Sequence, residues 1–131
     1  MGGGASRLEV SGTLTVDGTI RSNGDTNSTA TGGAGGSLWL TCNTFAGAAT
    51  GLLQARGGDP GINNAGCASG GRIAVSWLGG STYAGGYDCR GGRYGSTYEG
   101  QPGTLSLPAA PAISPTAAPT SRMFTFAEAS R

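Results

Sequence analysis

The sequence has 131 residues, enough for one domain with a modest core, and a net charge of +1. Its eight arginines are interspersed with seven acids and form no basic run, which argues against nucleic acid as a partner. Lysine and histidine are both absent, which removes the commonest general base, metal ligand and Schiff-base residue together.

Taken in chain order, three segments superimpose. The first carries Leu8, Val10, Leu14 and Ile20, and ends on Ser22, Asn23 and Gly24. The second carries Leu38, Leu40 and Cys42, then Phe45, then Leu53, Ala55 and Arg56. The third carries Ile73, Val75 and Trp77, then Tyr83, then Tyr87, Cys89 and Arg90. A fourth opens at Thr104, Leu105, Ser106 and Leu107 and meets Pro108. Within each segment apolar residues alternate with polar ones, the period of a β-strand.

Leu, Ile, Val and Phe are scarce in this chain and glycine abounds, a composition that alone suggests disorder. The repeat overrides it, because low-complexity glycine sequence does not return an alternating pattern at intervals of 30 to 35 residues. The expected architecture is an all-β, right-handed parallel β-helix of three to four coils, with three faces. Its inward ladders are Leu8/Leu38/Ile73/Leu105, Val10/Leu40/Val75/Leu107, Leu14/Phe45/Tyr83, Ile20/Leu53/Tyr87 and Ser22/Ala55/Cys89. Glycine pairs such as Gly35-Gly36, Gly57-Gly58, Gly70-Gly71 and Gly91-Gly92 flank the strands. There they turn corners at positive φ and let neighbouring coils stack closely. A phosphate-cradling loop would need a following helix, and no helical period follows any of them.

Gly35-Gly36-Ser37-Leu38-Trp39-Leu40-Thr41, the stretch 51–58 and the stretch 70–75 resemble the glycine-rich repeats of very large bacterial surface proteins. The resemblance covers about residues 2–107. It implies a secreted, β-helical chain associated with adhesion or cell-envelope structure.

The chain therefore divides into a solenoid over residues 1–107 and a tail over 108–131. The tail is punctuated by Pro108, Pro111, Pro115 and Pro119, which suits an extended polyproline II linker. Beyond it, Arg122, Phe124 and Phe126 alternate with Met123, Thr125 and Ala127, a strand-type pattern read as an arm that lies on a neighbouring copy. No stretch approaches the roughly 20 apolar residues of a membrane span. The opening Met1-Gly2-Gly3-Gly4 shows no signal peptide, so an exported chain would be processed or part of a longer one.

No catalytic group, metal site or cofactor is expected. A glycosidase needs two carboxylates across a cleft, and Glu9, Asp17, Asp25, Asp59, Asp88 and Glu99 fall on different edges or coils. Asp25-Thr26-Asn27 and the stretch beginning Asp59-Pro60-Gly61 lack calcium-loop spacing and read as turns. Asn23, Arg56 and Arg90 form one outward column that is able to grip an acidic glycan, unless Asp59 and Asp88 neutralise it. Trp39 faces outward, as contact residues do.

Two binding sets follow. A self-assembly interface would use Trp39, Leu105, Leu107, Phe124 and Phe126, with copies of the same chain as partners. A glycan-binding surface for an adhesin module would use Trp39, Arg56, Arg90, Tyr94 and Tyr98, with surface polysaccharide as partner. Of three cysteines, Cys67 lies in a loop and is expected to bridge Cys89 if any pair forms, leaving Cys42 alone. The function expected is a structural subunit of an extracellular filament or surface assembly, the alternative a carbohydrate-binding module of a larger surface protein.

Overall fold

The computed structural model describes residues 1–62 and 65–108. The tail arm, with Phe124 and Phe126, lies outside the described residues. The chain is all-β, its parallel strands stacked as a β-solenoid of about three turns. In order the strands are β1 (Ala5–Glu9), β2 (Thr13–Thr15), β3 (Thr19–Arg21), β4 (Ser37–Ala46), β5 (Leu52–Gln54), β6 (Arg72–Ser81), β7 (Gly86–Asp88), β8 (Arg93–Tyr94), β9 (Tyr98–Glu99) and β10 (Thr104–Ser106).

Alternation in the sequence becomes alternation of burial. Along β4, Leu38, Leu40, Cys42 and Phe45 are buried while Trp39 points out. Strands β1, β4, β6 and β10 form one parallel sheet, and β2 joins it on β4. Strands β3, β5 and β7 form a second parallel sheet. The first two of the three expected faces thus merge into one sheet. A register shift between Cys42 and Thr44 interrupts the β4–β6 pairing where they join. Glycine-rich loops close the remaining side of each turn, bonded coil to coil through Gly24 N to Arg56 O, Gly57 N to Arg90 O and Gly58 N to Gly33 O, each at 2.8 or 2.9 Å.

The core is a column of Leu38, Leu40, Phe45, Leu53, Ala55, Ile73 and Val75, extended by Val16, Cys42, Cys89 and Leu105. Full burial of each large apolar side chain contributes roughly 1.5–3 kcal/mol. Leu38 lies opposite Ile73, Leu105 opposite Ile73 on its other side, and Ile20, Leu53 and Tyr87 share one ladder, all as expected.

Three expected ladders are displaced, and the Val10/Leu40 match goes with the Leu8/Leu38 one because Leu40 faces Leu8. Leu8 pairs with Leu40 rather than Leu38, which faces Ser6. Glycine sets this register. A Cβ on Gly36 would overlap the Gly4 carbonyl, one on Gly71 the Gly36 carbonyl, and one on Gly103 the Gly71 carbonyl, so the four stack as one corner column. Strand β1 must start directly after that corner, so each of its residues faces a β4 residue two positions beyond the expected match. Phe45 lies opposite Ser81 rather than Tyr83, because β6 takes up one extra residue at the bulge where that match needs three. Positive φ also falls elsewhere than expected. Among the described residues only Gly80 (149°) and Gly95 (61°) adopt it. The corner glycines are needed for close approach, and their backbone conformation is ordinary.

Candidate functional site

Three surfaces carry the residues singled out by the sequence. On the outer face of the larger sheet, Trp39 sits between Arg7 of β1 and Ala74 of β6. Its side is 49% exposed, and the Arg7 guanidinium lies 4.5 Å from the ring centroid. Arg7 is held in turn by Glu9. Ala74 on the β6 side is small, so the half-exposed ring carries one cation stacked on it from the β1 side.

The smaller sheet carries a polar column. Arg21, Gln54 and Asp88 occupy successive rungs. Asn23 Nδ2 donates to Gln54 Oε1 at 2.8 Å, and Gln54 Nε2 donates to Asp88 Oδ2 at 3.2 Å. Arg90 grips Asp88 with Nε at 2.8 Å and an NH2 group at 3.0 Å. Arg56 bonds Asp59 at 3.3 Å and faces Asp88 with Nε at 4.0 Å. Asn23, Arg56 and Arg90 do stack as one column, and the local acids neutralise both arginines. Asp59 and Asp88 converge on Arg56, the local neutralisation that the sequence offered for this column. Burial would raise the Asp88 carboxyl, but hydrogen bonds from Arg90 and Gln54 outweigh it and hold its pKa below the ordinary value. A carboxylate so held stays ionised and has no proton to give.

Beside this column, β8 and β9 form an antiparallel hairpin that the sequence reading did not anticipate. Gly95 makes its turn, Tyr94 faces Tyr98, and Arg93 faces Glu99. The hairpin is tied to the column where Arg93 N donates to Asp59 Oδ1 at 2.8 Å. Tyr94-Gly95 is a turn signal, though short strands of two residues carry almost no periodicity. The five residues of the expected glycan surface are therefore divided. Arg56, Arg90, Tyr94 and Tyr98 gather at one corner, and Trp39 lies on the other sheet.

The third surface is the end of the stack. Trp77 and Phe45 stack with centroids 5.9 Å apart, Phe45 and Tyr83 meet at 4.5 Å, and Tyr83 meets Tyr87 edge-on at 5.4 Å. Phe45, in the second coil, is wholly buried, while Trp77, Tyr83 and Tyr87 of the third are half-buried. Tyr83 donates its hydroxyl to the Gly86 carbonyl at 2.9 Å, and burial pushes its pKa to about 12. Burial, then the nearby Tyr83, pushes the Tyr87 phenol further up.

Of the expected assembly residues, Leu105 is buried against Ile73, so its side chain belongs to the core and only the outer backbone edge of β10 is open. Leu107 packs half-buried against the same core. The Cys67–Cys89 bridge is not formed in this structure. Cys89 is buried in the core cluster with Ala55, while Cys67 is half-buried in a loop. A comparison with protein-family models, curated proteins and solved structures finds no match.

Proposed function

We propose that this chain is a structural subunit of an extracellular filament or surface assembly, joined end to end with copies of itself. One observation carries the reading. Among the described residues, the outer edges of β1, β2 and β3 at one end, and of β7 and residues 76–81 of β6 at the other, have no strand beside them. Open backbone edges are templates for further pairing. Both ends also leave core side chains partly uncovered, Leu8, Leu14 and Ile20 at the first and Trp77, Tyr83 and Tyr87 at the second. Such a head-to-tail contact does not close and generates a filament.

Asp59 and Asp88, the two carboxylates that converge on Arg56, are both tied to arginines. A non-catalytic role fits that arrangement. Electron microscopy of the purified protein tests the reading, with filaments expected and monodisperse particles at all concentrations against it.

The second reading, a carbohydrate-binding module, rests on Trp39. A half-exposed indole on a flat sheet, with Arg7 over one side, suits stacking against a sugar ring. Glycan-array binding lost in Trp39→Ala would favour it.

A further inference from the structure

Cover over the third coil stops partway along it. Strand β10 lies beside only residues 72–74 of β6, placing Leu105 over Ile73, and Leu107 then packs on the core. Past that point, residues 76–81 of β6 and strand β7 have a strand on one side only among the described residues. The side chains left there are Trp77, Tyr83 and Tyr87, a continuous aromatic floor resting on Phe45. Tyr83 is wedged against Gly47, Gly51 and Gly85 and its hydroxyl is fixed on Gly86, so the floor is preformed.

Twenty-three residues, 109–131, follow the described chain, which ends beside this floor just after Leu107. The register of β10 on β6, carried forward, would set Pro108 against Ser76, Pro111 against Gly79 and Pro119 against Tyr87. Proline donates no backbone N–H, and it is excluded from paired strand positions. Direct continuation of the fourth coil is thus a poor cover. The segment suited to a strand comes later, at 122–127, where Phe124 and Phe126 alternate with Thr125 and Ala127. A polyproline II spacer of about a dozen residues at ~3.1 Å each reaches roughly 37 Å, about the length needed to leave one short stack and enter the next.

We infer that the floor of Trp77, Tyr83 and Tyr87 is the acceptor for residues 122–127 of a neighbouring copy, which add as a strand along residues 76–81 with Phe124 and Phe126 on the aromatic rings. The inference rests on the end-to-end reading and names its contact. Strand addition supplies main-chain hydrogen bonds, and alternate side chains set the register.

The test uses the full chain with Trp39→Phe, which leaves Trp77 as the sole tryptophan. In that background Phe124→Ser/Phe126→Ser disables the donor. A synthetic peptide of residues 120–131 added to this variant should shift Trp77 emission to the blue, saturably, and the same peptide with both phenylalanines replaced by serine should not. The parent should show the blue emission only at concentrations where it sediments as more than one chain. No shift with the peptide overturns the inference. So does blue emission in a parent diluted to monomer, which would mean that each chain covers its own floor. If the parent never exceeds a monomer, the end-to-end reading fails, and a saturable peptide shift still supports the floor as acceptor.

Discussion

Gly71 stands against Gly36 so closely that a Cβ on the former would overlap the carbonyl oxygen of the latter, and Gly36 meets Gly4 in the same way. Arg72 N donates to the Gly36 carbonyl at 2.8 Å, so this contact lies on the bond that stacks one coil on the next. Gly71→Ala should therefore cost about 1–3 kcal/mol through overpacking against backbone that has no room to retreat. Gly12→Ala, where a Cβ meets open space, should change stability little. Urea unfolding of the two variants checks this, and equal midpoints would contradict it.

Phe45 is the largest fully buried side chain and touches both Trp77 and Tyr83. Phe45→Ala should lose about 3–5 kcal/mol, the transfer term plus the cavity left between coils two and three. A fall in the urea midpoint with unchanged slope is the expected result. Retention of the parent midpoint would remove Phe45 from the core.

Much of this architecture was legible in the sequence, and the reasons differ residue by residue. Leu38/Ile73 and Ile20/Leu53/Tyr87 were readable because inward positions are apolar and the period is two. Leu8 was misplaced by two residues, since matching leucine to leucine ignores the steric demand of the Gly4–Gly36 corner. Tyr83 was misplaced because the irregularity at Cys42/Thr44 takes up one extra residue of β6 and not three, a length that no residue type announces. The candidate surfaces were harder to read. The convergence of Asp59 and Asp88 on Arg56 depends on how a glycine-rich loop folds back, and the Tyr94/Tyr98 hairpin is too short for periodicity to register.

The polar column should make stability depend on acid. A carboxyl whose pKa is lowered by folding stabilises the fold fully above its ordinary value, 3.8 for Asp88, and loses that contribution as pH falls below it towards the folded value. Asp88→Asn should cost about 1–3 kcal/mol at neutral pH, because Arg90 loses its charged acceptor and Arg56 Nε is left facing an amide. The parent's urea midpoint should fall more steeply than the variant's as pH is lowered below the ordinary Asp value of 3.8. Parallel profiles would show that the column carries no such load.

The thiols should differ in reactivity. Burial raises the pKa of Cys42, and burial with the nearby Asp88 charge raises that of Cys89 to about 11. Both sit in the core, while Cys67 lies half-buried in a loop. Alkylation of the native protein at pH 8 should mark Cys67 well before the other two, with all three reacting in denaturant. A Cys67–Cys89 cross-linked peptide in non-reduced digests would contradict the arrangement.

End-to-end assembly is the central claim, and fibre diffraction of aligned assemblies tests it most directly. Copies joined end to end keep the strands of every coil running across the filament, so the strand spacing of about 4.8 Å should appear along the filament axis. The same spacing appearing perpendicular to the axis, or protein that forms no assemblies to align, would contradict the claim.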